Sequence, residues 1–218
     1  MSPTTIGGHP FTVVGAVHPV ESGWLVVAAK MRGGAFVPDP PRVFTDLARA
    51  VEGRPRFDTV GLNAAIGDVA SAKKGNRACD LACRDLIGVD PKVARKQAIE
   101  ATLRPLMKRR RQEVTGTIAS RHQRTVFEYL PELSLFQVTG GAVSDLRSDE
   151  GLSVAFEALS SLPGVDRILE VELDGVTKEE LIRATLGLWT ARRVIARLAV
   201  RLPEDPVAVD GFRVELLR

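Results

Sequence analysis

Four consecutive cations, Lys108-Arg109-Arg110-Arg111, sit inside a stretch from Lys92 to Arg124 that holds ten Lys or Arg against only Glu100 and Glu113. Such a run offers phosphate contacts that give affinity without sequence choice and weaken steeply with salt. No aromatic residue lies within it to stack a base, so a solvated helix face is the competing reading. From Asp145 to Glu180 the balance reverses, with ten acids against Arg147, Arg167 and Lys178. A net charge of only +3 therefore hides a basic lobe and an acidic lobe. The partners these lobes suit are nucleic acid, an oppositely charged protein, or a second copy of the chain.

Arg77, Asp80 and Arg84 form a second charged group, with Asp80 four residues before Arg84 on a predicted helix. That spacing predicts an Asp80–Arg84 ion pair with Arg77 on the same face. Cys79 and Cys83 are the only cysteines and share that helix, which reads as two small core or semi-buried thiols of a reducing compartment. A zinc site would need two more ligands, and His9, His18 and His122 show no ligand spacing with them. Gly7-Gly8 and Gly140-Gly141 lack the context of a phosphate loop, and Ser160-Ser161 finds no His-Asp pattern.

The elements that must position these groups follow from periodicity. Phe11 to Val17, Trp24 to Met31 and Ala35 to Val37 read as three short strands, closed by Pro38, Pro40 and Pro41. Val43 to Val51 has helical spacing, and Phe57 to Asn63 is apolar enough for a central strand. A helix over Arg77 to Ile87, with Ala78, Leu81, Ala82 and Leu86 as its inward stripe, ends at Gly88. Asp90-Pro91 starts a long helix to about Arg111 that Pro105 should kink. Thr125 to Tyr129 and Ile168 to Leu173 read as strands, and Asp149 to Leu159 and Thr177 to Arg201 as helices. The last starts with a capping box formed by Thr177 and Glu180. Its line Arg183, Thr190, Arg197 recurs every seven residues and is most simply its solvent face.

A chain of 218 residues is long enough for one good core, so a single domain over 1–218 is expected, with a loose leader over 1–10 and a basic helical insertion over 89–124. No stretch approaches eighteen apolar residues and the N-terminus lacks the regions of a signal peptide, which predicts a cytoplasmic protein without a membrane span.

The strands ending at Val17 and Asn63, the Ile66-Gly67 step, the block from Arg77 to Gly88, Glu128-Tyr129-Leu130-Pro131-Glu132 and Leu188-Trp189-Thr190-Ala191 together resemble, in that order, an uncharacterised RNase H-like family of predicted nucleases (domain of unknown function 429). The resemblance runs from about Val13 to the C-terminus and is most specific in the Arg-x-Cys-Asp-x-x-x-Arg-x-x-x-Gly block. It implies an α/β fold with an RNase H-like mixed sheet flanked by helices. It also implies phosphodiester hydrolysis by two divalent ions held on converging carboxylates.

The same resemblance makes four positions conspicuous. Where the family pattern has an acid ending the first strand, an acid ending the later strand, Glu-x-His-Pro-Glu, and an acid in the last helix, this chain has Val17 (or His18, one residue on), Asn63, Leu130 and Arg183. Each departure removes a charge or a ligand, and a guanidinium would repel a metal outright. The expectation is a vestigial site at Val17, Asn63, Glu132 and Arg183 that needs no cofactor, with Arg183 free to pair with Glu132 or to hold a phosphate. The binding candidates are then Arg77, Asp80, Arg84, Lys108, Arg109, Arg110, Arg111 and Arg183. Glu128 and Glu132 are the remaining metal candidates, although Glu132 after Pro131 also reads as a helix-start carboxylate. The alternative is an active Mg²⁺- or Mn²⁺-dependent nuclease whose ligands have moved to Asp68, Asp80, Glu128 or Glu132.

Overall fold

The computed structural model describes residues 11–32, 35–52, 56–67, 77–97, 104–142, 144–206, 208–209 and 212–218. The leader expected over 1–10 and the candidate ligand Asp68 lie outside these residues. A five-stranded sheet is built from β1 (Thr12–Val20), β2 (Gly23–Arg32), β3 (Ala35–Phe44), β4 (Thr59–Leu62) and β5 (Val126–Glu128), in the order β3-β2-β1-β4-β5. The first three strands are antiparallel, and β4 and β5 run parallel to β1. Helices α1 (Leu47–Val51), α2 (Ala78–Ile87), α3 (Pro91–Gln97), α4 (Arg104–Thr117), α5 (Pro131–Val138), α6 (Asp149–Ser160), α7 (Asp166–Leu169) and α8 (Lys178–Ile195) flank it. This is the mixed, helix-flanked, RNase H-like sheet expected from the sequence.

Period-two alternation divides β1 between two cores. Val14, Ala16 and Val20 pack with α5, α6, α7 and α8, whereas Val13 and Val17 pack with α1 and α4 on the other face. A third apolar cluster joins Cys79, Cys83 and Ile87 of α2 to Leu130, Leu133 and Leu216.

Helix α8 is buried continuously from Leu181 to Ala191, because it lies between the sheet and the α5 to α7 helices. It starts where its capping box places it: the Thr177 side chain accepts from the Glu180 N–H at 3.2 Å and Glu180 Oε2 accepts from the Thr177 N–H at 2.8 Å. Gly187 lets the helix lie directly on the Tyr129 ring, where any Cβ would overlap the ring carbons. The Tyr129 hydroxyl in turn donates to the Arg183 carbonyl at 3.3 Å.

Several local expectations are corrected. β3 does not end at its prolines but runs through Pro38, Pro40 and Pro41 to Phe44, which an edge strand tolerates because its outer N–H groups bond nothing in the sheet. Val43 therefore belongs to β3, and α1 starts only at Leu47, capped by the Asp46 carboxylate accepting from the Arg49 N–H at 2.9 Å. The long basic helix is two helices, α3 and α4, and Pro105 sits in the first turn of α4, where a missing N–H costs nothing. The strand expected over Ile168 to Leu173 is instead the short helix α7, which buries Ile168 and Leu169, followed by an open segment. α8 stops at Ile195, with Arg197 in the left-handed region at φ 57°.

Candidate functional site

The ends of β1 and β4 lie side by side, with the Asn63 N–H donating to the Val17 carbonyl at 2.9 Å. Val17 itself points into the α1/α4 core, so the residue of β1 that faces α8 is His18, one step along the pleat. The Asn63 side-chain amide meets His18 Nδ1 at 3.0 Å in a buried hydrogen bond that joins β1 to the end of β4. Asn63 Oδ1 is buried without a partner. Burial, and then the nearby positive charge of Arg183, push the His18 pKa down to about 3, so the ring is neutral at ordinary pH.

Arg183 comes to the same place from the second turn of α8, with a side chain 3% exposed. Its Nη1 donates to Glu132 Oε1 at 2.7 Å and its Nε donates to Glu179 Oε1 at 2.7 Å. Burial alone would lower the guanidinium pKa, but Glu132 and Glu179 more than offset it and hold the charge in place. Glu132 stands in the first turn of α5, where the helix N-terminus favours a carboxylate, and its second oxygen is buried without a partner. The line Arg183, Thr190, Arg197 is thus not a solvent face: Arg183 and Thr190 are buried, Thr190 bonding Ser134 at 2.8 Å, and only Arg197 is exposed. Glu179 was not singled out from the sequence, although it stands four residues before Arg183, the spacing of a helical ion pair.

The sign of the His18 shift gives a test. The folded ring takes up a proton only near pH 3 and the unfolded ring near 6.5, so the fold is favoured fully above pH 6.5 and loses about 1.4 kcal/mol per pH unit below it. Between pH 7 and pH 5 the chain should lose about 2 kcal/mol more stability than its His18→Asn variant, measured by urea denaturation. Equal losses would show that His18 is not held neutral by the fold.

Arg77, Asp80 and Glu128 meet at a second, separate centre beneath α2. The Arg77 guanidinium grips Asp80 through Nε at 2.9 Å and Nη2 at 2.8 Å, and Glu128 through Nη1 at 2.7 Å and Nη2 at 2.6 Å. Arg95 adds a 2.6 Å bond to Glu128, and the Ile66 N–H donates to Glu128 Oε2 at 2.8 Å. Burial would raise the Asp80 pKa, but the Arg77 bonds and charge outweigh it and hold the carboxyl below its usual range. Both oxygens of Glu128 are occupied, and the strand alternation puts it on the face away from Tyr129 and Arg183. The expected Asp80–Arg84 pair is absent: Asp80 is buried against Arg77, while Arg84 is exposed and 3.9 Å from Asp85. α2 correspondingly buries Cys79, Asp80, Cys83 and Ile87 rather than the predicted stripe, and Leu81 and Leu86 are exposed. Burial pushes both thiols up to about 12, so neither is a nucleophile in the folded chain.

The basic run is divided by its helix. Lys108, Arg109 and Arg111 are exposed on α4, as are Arg121 and Arg124 beyond it. Arg110 is turned inward: it stacks 5.2 Å from the Trp24 ring centroid, donates to the Val20 carbonyl at 3.3 Å and pairs with Glu113 at 3.3 Å. Glu113 also accepts from the Trp24 indole N–H at 3.0 Å and from the Leu47 N–H at 2.6 Å, which fastens α4 to the sheet. The exposed cations thus lie on the sheet face opposite the one that carries Arg183.

Among the described residues no three His, Cys, Asp or Glu side chains come together as metal ligands. Nor is any described helix long and apolar enough to cross a membrane. A family model described as Protein of unknown function (DUF429) matches residues 17–208. No curated protein and no solved structure matches the chain.

Proposed function

We propose that this chain, which belongs to the DUF429 family of proteins of unknown function, acts by binding rather than by two-metal hydrolysis, with nucleic acid as the ligand of its exposed basic face. The observation that carries the reading is the buried Arg183 guanidinium held between Glu132 and Glu179, near enough to His18, the partner of Asn63, for its charge to act on that ring. Hard divalent ions want several converging carboxylate oxygens. Here the donors are a neutral imidazole, an amide and two carboxylates, Glu132 and Glu179, both already paired with one buried cation, and this set does not fit such ions. No catalytic step is therefore routed through a metal.

Lys108, Arg109 and Arg111 support the polyanion reading, because they share the solvent side of α4. Their contacts should be sequence-independent and salt-sensitive. Fluorescence anisotropy with short RNA and DNA duplexes should show binding whose salt slope falls by about 1 for each of these cations changed to Ser. The decisive assay incubates RNA and DNA with the chain and Mg²⁺ or Mn²⁺. No cleavage is expected. Metal-dependent cleavage that disappears on Glu132→Ala would overturn the proposal.

A further inference from the structure

Where the open segment after α7 meets the start of α8, a pocket of about 250 Å³ is walled by Val171, Leu173, Val176 and Leu181, with Glu170, Glu172, Thr177 and Lys178 completing its lining. It is below the usual size of a small-molecule site and suits one long side chain. Apolar walls with carboxylates beside them match the chemistry of a lysine or arginine, whose hydrocarbon stem seeks cover while its head seeks an anion. The local cation does not fill this role, since the Lys178 ammonium lies over the Phe156 ring at 5.3 Å from its centroid. Neither Glu170 nor Glu172 forms an ion pair with another described residue.

The sheet explains where such a side chain comes from. Its α8 face carries α6, α7 and the pocket, with the exposed acids Asp149, Glu150, Glu157, Asp166, Glu170 and Glu172. Its other face carries α4 with the exposed Lys108, Arg109 and Arg111. Arg147, Arg167 and Lys178 are exposed among these acids, so the α8 side is acidic in balance, whereas α4 exposes the cations Lys108, Arg109 and Arg111. A two-fold contact through either side would set like charge against like, whereas a head-to-tail contact pairs opposite charge at every junction.

We infer that the pocket takes a cationic side chain from the α4 face of a second copy of this chain, so that copies associate head to tail. This goes beyond the binding function proposed above, and its test contains no nucleic acid. Sedimentation velocity of the nuclease-treated, nucleic-acid-free chain at about 25 mM salt should show a mass that rises with protein concentration. At about 300 mM salt, where screening is short-ranged, the chain should be a monomer. E170S/E172S and R109S/R111S should each be monomeric alone, because each keeps only one side of the contact. Mixed in equal amounts they should form a dimer and stop there. A monomeric parent chain at low salt, variants that associate as the parent does, or a mixture without dimer would each overturn the inference. Circular dichroism establishes that the exposed-site variants are folded.

Discussion

Arg77→Met should lower the stability of the fold by roughly 4 kcal/mol, the range measured when one partner of a buried ion pair is removed. Arg77 is 5% exposed and supplies four of the hydrogen bonds that hold Asp80 and Glu128, which are 1% and 2% exposed. Without it, the two buried carboxylates are left with Arg95 and the charge of Lys92, and one of Arg95's approaches to them is as long as 4.0 Å. For a chain of this size the loss corresponds to a melting temperature lower by about 10 °C. Arg77→Lys should do little better, since a single ammonium cannot reproduce a planar fork shared by two carboxylates. A shift under about 1 kcal/mol in urea denaturation would show that the network contributes little net stability.

Arg183→Met should cost about 3 kcal/mol for a related reason, with a different recovery. The change strands Glu132, 11% exposed, while Glu179, 31% exposed, can turn to water. Changing both partners, as Arg183→Met with Glu132→Leu, should therefore regain most of the loss, whereas no single second change should rescue Arg77→Met. A double variant as unstable as the sum of the two single variants would mean that Arg183 and Glu132 do not act as a pair.

The backbone was largely legible in the residues, since hydrophobic alternation and caps are local. β1, β2, β4 and β5 fall where alternation puts them, and Gly88 ends α2 in the left-handed region at φ 71°. The start of α8 follows from Thr177 and Glu180 alone. Where local signals conflicted with tertiary ones, the tertiary ones won. Prolines usually end strands, but β3 has an outer edge that needs no donors. A helical wheel assigns charged residues to water, so it placed Arg183 outside, and the four-residue spacing paired Asp80 with Arg84; both are buried instead, Arg183 against Glu132 of a distant segment and Asp80 against Arg77. The wheel of α2 was inverted for the same reason. For the site, the resemblance pointed to Asn63, Glu132 and Arg183 and left Val17 and His18 as alternatives on β1; the pleat of β1 decides for His18, which bonds Asn63, because a one-residue step exchanges Val17 for His18.

The cation beside Glu132 is covalently part of the polypeptide. A metal ion in such a place is in equilibrium with its surroundings and can be withdrawn by a chelator or by scarcity, and its loss destabilises whatever it held together. Arg183 has no such equilibrium: its local concentration is fixed by the helix that carries it, and it cannot lose its proton under physiological conditions. The pairing of Arg183 with Glu132 and Glu179 is consequently assembled as soon as the chain folds, with no second component to recruit.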